Sequence, residues 1–115
     1  MSLVIIYSTF PDEESAKSVA RFLVKRRLVA CANIYPEGTS FYWWNDSIEE
    51  SRECGVYFKT LSNCLADAVT ELKKKHPYSN PAILTWEVTS QSAHYTEWMN
   101  RELGFQGDGG SKVSE

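Results

Sequence analysis

The segment Thr39–Thr60 reads TSFYWWNDSIEESRECGVYFKT and places two strand-like arms on either side of Asn45-Asp46-Ser47. Because Asn, Asp and Ser favour tight reversals, we predict a long β-hairpin here. Side chains alternate along a strand, so each face of the hairpin should carry two aromatic residues: Phe41 and Trp43 on one, Tyr42 and Trp44 on the other. Both faces are therefore apolar. The rest of the chain, or another copy of it, has to cover them.

The chain before the hairpin predicts a strand, a helix and a second strand. Leu3–Tyr7 is a continuous apolar run typical of a buried, central strand. The apolar stripe between Ala16 and Leu23 predicts a helix that starts after Pro11, and Leu28–Tyr35 predicts a strand closed by Pro36-Glu37-Gly38.

The chain after the hairpin predicts a helix, a strand and a second helix. Ser62 is the predicted N-cap of a second helix, which ends at Lys73-Lys74-Lys75. Two prolines make His76–Pro81 a rigid connector to a last strand, Ala82–Val88. From Ser92 we predict a short helix that packs as a lid. Gly55 in the hairpin suggests a bulge or a close backbone approach.

The order of these elements is βαββαβ followed by a C-terminal helix. It predicts an α+β, ferredoxin-like sandwich, in which two helices cover one face of an antiparallel sheet. We expect one domain over residues 1–104 and a flexible, glycine-rich tail over 105–115. The second face of the sheet and the hairpin stay uncovered and aromatic. We therefore expect a homo-oligomer that closes on itself.

Composition excludes several classes of function. A net charge of -3 gives no electrostatic case for nucleic-acid binding, and the basic triplets at Lys25–Arg27 and Lys73–Lys75 fit helix ends. The amino-terminal apolar run is too short to span a membrane and lacks the features of an export signal. The cysteines, Cys31, Cys54 and Cys64, form no CxxC pair, so we expect free thiols and a cytoplasmic location.

Several separated segments, in the right order, resemble the CutA family of divalent-ion tolerance proteins. They are Ser8–Ala16 (STFPDEESA), Arg26–Pro36 (RRLVACANIYP), Thr39–Asn45 (TSFYWWN), Phe58–Thr60 (FKT), Lys74–Leu84 (KKHPYSNPAIL) and Tyr95–Asn100 (YTEWMN). The resemblance implies a homotrimer of ferredoxin-like subunits, similar in architecture to PII signal proteins, whose long hairpins pair with neighbouring subunits. It also implies a role in divalent-cation tolerance.

The resemblance further implies where a metal ion would bind. In the family, copper binding falls on a histidine pair before Pro-Tyr and on a cysteine in the first strand. Here those positions read Lys75-His76 and Ser8. His76, with Cys31 as a soft thiolate partner, stays the candidate site for copper or zinc. The alternatives are a helix-terminal histidine and a buried structural cysteine.

Strand alternation and the family pattern together suggest a ligand cleft between subunits. Its candidate residues are Trp44, Glu50, Lys59, Tyr78, Glu87, Tyr95 and Trp98. A lysine and a glutamate flanked by rings would suit a small anionic or zwitterionic ligand. Alternatively, Lys59 and Glu87 form a structural ion pair across strands, and the tryptophans belong to the subunit interface.

Three functional classes remain open on the sequence. The first is a trimer that binds a metal ion or small ligand and acts in regulation or scaffolding. The second is an enzyme with its site in the subunit clefts, using His76, Lys59 and Glu87 as acid, base or electrostatic groups. The third is a structural trimer that anchors a partner protein. Because no nucleophile with an adjacent base is evident, we favour the first class.

Overall fold

The computed structural model describes residues 2–104. Its elements follow the predicted order: β1 (Leu3–Phe10), α1 (Glu13–Lys25), β2 (Cys31–Trp44), β3 (Ser47–Leu61), α2 (Leu65–Lys75), β4 (Ile83–Glu87) and α3 (Ala93–Glu102). The strands form one sheet in the order β2-β3-β1-β4, and every neighbouring pair is antiparallel. The prediction of an α+β protein with a central first strand is confirmed. The predicted tail, 105–115, lies outside the described residues.

The hairpin of β2 and β3 extends well beyond the rest of the sheet. Pairing between β1 and β3 ends at Phe10 and Cys54, so residues 47–53 of β3 have only β2 beside them. At roughly 3.4 Å per residue this arm projects about 24 Å. Asn45 and Asp46 make the turn in left-handed conformations, with φ of 50° and 64°, which Asn and Asp tolerate best among non-glycine residues.

β2 is longer than predicted. We expected Pro36-Glu37-Gly38 to close the strand, and this is wrong: the chain forms a bulge between Tyr35 and Gly38 and resumes pairing. Glu37 takes a φ of 49° there, so the extra residue is absorbed without ending the strand. Pairing from Gly38 to Trp44 is unbroken, which confirms the predicted alternation of the hairpin aromatics.

The close approach predicted at Gly55 exists, but a side chain makes it. A Cβ atom on Gly55 would lie 2.9 Å from the Tyr7 hydroxyl oxygen and 3.2 Å from Tyr7 Cε1. The bulge lies on the facing strand, next to this position. Gly55 therefore leaves room for the ring of Tyr7.

The N-cap predicted for α2 is wrong, whereas that of α3 is confirmed. Helix α2 begins at Leu65 after Cys64, with no side-chain cap, and the Ser62 hydroxyl instead accepts the N–H of Ser2 at 3.1 Å. Ser92 accepts the N–H of Tyr95 at 3.2 Å and so caps α3. The first and last strands also differ from their predicted bounds: β1 extends to Phe10, and β4 covers only Ile83–Glu87.

Two apolar clusters hold the domain together. The larger one lies between α1, α2 and one face of the sheet, and includes Ile6, Phe10, Leu23, Phe58 and Leu72. The smaller one places Met99 of α3 and Leu103, the C-cap of that helix, against Leu3 and Leu61. Among residues 2–104, no helix is long and apolar enough to cross a membrane.

Helix α3 covers only one end of the second sheet face, as the lid prediction implied. The remainder, which we call the open face, carries partly or fully exposed apolar side chains: Tyr7, Tyr35, Tyr57, Leu84 and Trp86. The ring of Tyr57 lies 4.8 Å from that of Tyr7 and 5.8 Å from that of Tyr35, centroid to centroid. Monomeric proteins rarely expose a contiguous aromatic surface of this kind.

Candidate functional site

The hairpin and the segment between α2 and β4 enclose a cleft of about 710 Å³, which we call the hairpin cleft. This volume falls in the range of small-molecule sites. Its walls are Thr9, Ser40, Phe41, Tyr42, Trp43, Trp44, Glu49, Glu53, Tyr78, Ser79, Asn80 and Ala82. Pro77 ends α2, with His76 in an extended conformation before it, and the bent connector that follows brings Tyr78 to the cleft.

Glu53 is the polar centre of the hairpin cleft. The Tyr78 hydroxyl donates to one oxygen of its carboxylate at 2.6 Å, and the Ser40 hydroxyl donates to the other at 2.7 Å. Burial, followed by this hydrogen bond to Glu53, raises the pKa of Tyr78 far above its usual value. The phenol therefore stays protonated and remains a donor to the carboxylate.

A second groove, of about 690 Å³, lies on the open face and is called the sheet groove. It extends from Lys59 along β3, past Tyr57 and Gly55, to Glu53, which also lines the hairpin cleft. One carboxylate thus borders both grooves, with a lysine at the far end of one of them.

His76 is buried at the end of α2, with only 8% of its surface exposed. Its ring lies between Phe10 and Tyr78, at centroid distances of 4.3 and 5.3 Å. The backbone N–H of Tyr78 donates to Nδ1 at 3.2 Å, so the proton of the neutral ring is on Nε2 and faces Ser8 Oγ at 3.0 Å. Burial lowers the pKa of His76, which keeps the ring neutral at pH 7.

The contact between Ser8 and His76 has the wrong polarity for nucleophilic catalysis. The Ser8 hydroxyl donates to the carbonyl oxygen of Ala82 at 2.7 Å and so accepts from His76. An activated serine would instead donate its proton to the imidazole. Ser8 is also fully buried, which leaves no route for a substrate. This pair is a structural link between sheet, helix and connector.

The implied metal site does not fit within this chain. Both ring nitrogens of His76 are engaged, and Lys75 directs its ammonium toward the ring of Phe22, 4.5 Å from the centroid. Cys31 pairs with Lys59 on the opposite face of the sheet from Ser8, so the structure does not bring it to His76. Among residues 2–104 there is no group of three or more His, Cys, Asp or Glu side chains placed to hold a metal ion.

The candidate cleft residues separate into two groups. Trp44 and Tyr78 meet in the hairpin cleft. At the other end of the sheet, Lys59 Nζ lies 5.8 Å from the ring centroid of Tyr95, which stacks on Trp98 at 5.5 Å. The structure brings each group together but keeps the two groups apart.

The remaining two candidates, Glu50 and Glu87, lie away from both grooves. Glu50 pairs with Phe41 on the hairpin and is exposed. Glu87 pairs with Val4, whereas Lys59 pairs with Ile5, so the two side chains leave opposite faces of the sheet with β1 between their strands. The alternative in which Lys59 and Glu87 form an ion pair across strands is therefore wrong within the chain.

Sequence reasoning missed Glu53 and Ser40. Strand alternation places Glu53 on the face of Tyr57 and Lys59, but nothing local in the sequence distinguishes it from Glu49 or Glu50. Its importance comes from Tyr78, which is 25 positions away in the chain. The path of the connector brings the two side chains together, and no local pattern in the sequence indicates that path.

Taken together, the fold and grooves define a small single-sheet α+β protein with a projecting aromatic hairpin. The polar centre of its hairpin cleft is a carboxylate held by two hydroxyl groups. The profile of the family described as CutA1 divalent ion tolerance protein matches residues 4–102. The chain belongs to this family.

Individual relatives agree with this assignment. The divalent-cation tolerance protein CutA of Pyrococcus horikoshii is 41% identical over 100 residues, which cover 87% of this chain and 97% of the relative. The protein of the same description from Thermotoga maritima is 38% identical over 101 residues, covering 88% and 99%. The crystal structure of the divalent ion tolerance protein CutA1 from Ehrlichia chaffeensis superposes with a TM-score of 0.87 at 32% identity, covering 89% of this chain and 95% of that one.

Proposed function

We propose that this protein acts in divalent-cation tolerance as a homotrimer of ferredoxin-like subunits, with a PII-like architecture and with small-ligand clefts beside the hairpins. The observation that carries the proposal is the exposed aromatic surface. Trp43 is 71% exposed, Phe41 68%, Trp44 62% and Tyr35 59% in a single chain. Monomeric proteins rarely leave contiguous apolar patches of this kind in water.

The sheet edges favour a closed ring of copies. β2 and β4 are the outer strands of the sheet, so each has one row of backbone groups without a strand beside it. The two edges are different surfaces, and contacts between different surfaces close into rings when the rotation allows. A ring of copies would pair the edges and cover the hairpin aromatics at the same time.

Metal binding at the edge strand β2 is the second candidate function, and the position of Cys31 favours it. Cys31 begins β2 and is the one partly exposed thiol of the three free cysteines. Copper or zinc bound there would need further ligands from a neighbouring subunit, because His76 is fully engaged within its own chain. Titration with Cu(I), Cu(II) and Zn(II) of wild type and Cys31→Ser tests this; equal binding by both would exclude Cys31.

The functional proposal is tested by complementation. A bacterial strain that lacks its own CutA-family protein is grown in graded copper, zinc and cobalt while expressing this chain or a variant with serine at Phe41 and Trp43. We expect wild type to restore growth and the variant, at equal abundance, to fail. Restoration by a monomeric variant would contradict the requirement for a trimer, and failure of the wild type would contradict the tolerance role.

We further place the protein in the cytoplasm, because its cysteines are free thiols and two of them are buried. One solved relative, from Archaeoglobus fulgidus, is described as periplasmic. Fractionation of the native host with an antibody distinguishes the two compartments, and recovery in the periplasmic fraction would contradict this placement.

A further inference from the structure

Helices α1 and α3 end in the same kind of turn, but with different residues in it. In each case the residue after the C-cap has a left-handed conformation: Arg27 after α1, with φ of 57°, and Gly104 after α3, with φ of 83°. The N–H of Leu28 donates to the carbonyl oxygen of Leu23 at 3.0 Å and closes the turn after α1. Glycine takes this conformation freely, whereas a residue with a Cβ atom is strained there. Arg27 therefore stands where the backbone alone favours glycine.

The side chain of Arg27 accounts for an arginine at this position. Its guanidinium group donates to the backbone carbonyl oxygen of Glu102, in the last turn of α3, at 2.5 Å, and lies 3.4 Å from the carboxylate of the same residue. The last carbonyl groups of a helix have no partner within the helix, and a basic side chain can satisfy them. Arg27 therefore closes the turn after one helix and caps the end of another.

Helix α3 is attached to the domain by one face and by its last turn. Its buried residue, Met99, packs with the C-cap Leu103 on the smaller apolar cluster. The larger cluster contains no residue of α3. At the start of the helix, no backbone hydrogen bond joins residues 89–91 to any other described residue. Helix α3 can therefore separate from the sheet without disturbing the larger cluster.

The closed position of α3 also leaves one polar atom buried without a partner. Asn100 donates through Nδ2 to the carbonyl oxygen of Thr96 at 3.1 Å, but its side-chain oxygen is buried and accepts no hydrogen bond from any described residue. A buried acceptor of this kind destabilises the closed helix relative to an open one in which water reaches it. Met99 and Arg27 hold the helix closed against this contribution.

We propose that α3 is a lid that opens as a unit over the smaller cluster while the rest of the domain stays folded, and that Arg27 is the latch that holds it closed. Opening uncovers Leu61 and Cys64, and it releases Lys59, whose Nζ lies 5.8 Å from the ring centroid of Tyr95 on α3. Segments that open locally are those with little buried surface and few hydrogen bonds to the rest of the fold. The lid and its latch lie within one chain, so they go beyond the proposed function and do not depend on it.

Two buried thiols report the opening separately. Cys64 lies in the smaller cluster beneath α3, whereas Cys54 lies in the larger cluster. The full chain is treated with N-ethylmaleimide without denaturant, and labelling of each thiol over time is followed by peptide mass spectrometry. Because the lid opens at a lower free energy than the whole domain, we expect Cys64 to be labelled at least about tenfold faster than Cys54. Equal rates would overturn the proposal, since both thiols would then be exposed only by global unfolding.

Variants at Arg27 identify the latch. Arg27→Gly and Arg27→Asn tolerate the left-handed turn but cannot cap α3, so labelling of Cys64 should become about threefold faster, as expected for loss of an exposed charged contact. Labelling of Cys54 should stay the same or become slower, because the strain in the turn is relieved. Arg21→Ala, at an exposed arginine of α1, is the control and should be labelled as wild type is. Unchanged or slower labelling of Cys64 in both variants, or equal acceleration of both thiols, would refute the role of Arg27.

Discussion

The hydrogen bond between Tyr78 and Glu53 joins the connector to the hairpin, and its strength can be measured. An O–H donor at 2.6 Å from a carboxylate oxygen is a short, charge-assisted bond, a type worth about 1.5–3 kcal/mol when it is protected from water. Both side chains are only partly buried, and Ser40 still holds the carboxylate when Tyr78 is changed. We therefore expect a coupling free energy of about 1–2 kcal/mol.

A double-mutant cycle provides the assay. Tyr78→Phe removes only the hydroxyl, Glu53→Ala removes the acceptor, and urea unfolding of wild type, both single variants and the double variant gives the coupling. Protein concentration is held constant, because association changes apparent stability. Tyr42→Phe is the control: its hydroxyl bonds Ser51 at 2.8 Å on an exposed part of the hairpin and should cost less than about 0.5 kcal/mol. A coupling below about 0.3 kcal/mol would refute the account of Glu53 as an ordered centre.

Three further predictions concern the scaffold. Burial lowers the pKa of His76 below its usual 6.5, so the unfolded chain binds more protons than the folded chain just below that pH, and the free energy of unfolding should fall as pH drops through 6.5. In thermal unfolding, His76→Leu should flatten this dependence on pH. The control His94→Gln, at an exposed histidine, should leave the dependence unchanged. Gly55→Ala should lower the free energy of unfolding, measured in urea, by about 1–3 kcal/mol, and adding Tyr7→Phe should restore part of the loss because it removes the hydroxyl nearest to the new Cβ atom. A Gly55→Ala variant as stable as wild type would contradict this packing. Met99→Ala should cost about 2–5 kcal/mol and speed hydrogen exchange in α3, and a loss below 1 kcal/mol would show that α3 is not held by its buried face.

The sequence predicts the order of elements because each has a strong local signal. Apolar runs, helical stripes and the Asn45-Asp46 turn are properties of neighbouring residues, and they place the hairpin and the central first strand correctly. The two main errors have one physical cause, which is a contact with a residue that is distant in the chain. Pro36-Glu37-Gly38 looks like a strand end and Ser62 like a helix cap, but pairing with β3 carries β2 through the first, and Ser2 engages the second.

The candidate site depends on contacts that are distant in the chain, and it was predicted less well. Strand alternation predicted the face of Trp44 correctly. It gave no means of knowing that Glu53 meets Tyr78, or that β1 separates Lys59 from Glu87. The burial of His76 was also hidden, because its position at a helix end is the same for a solvated ring and for one enclosed by Phe10 and Tyr78.

The central claim is that the exposed aromatic hairpin and open face are covered by other copies of this chain. Sedimentation equilibrium of the full chain at micromolar concentration, supported by native mass spectrometry, tests it most directly. The account predicts a single species of about 39 kDa, three times the chain mass of 13.1 kDa. A folded species of 13.1 kDa under the same conditions would contradict it.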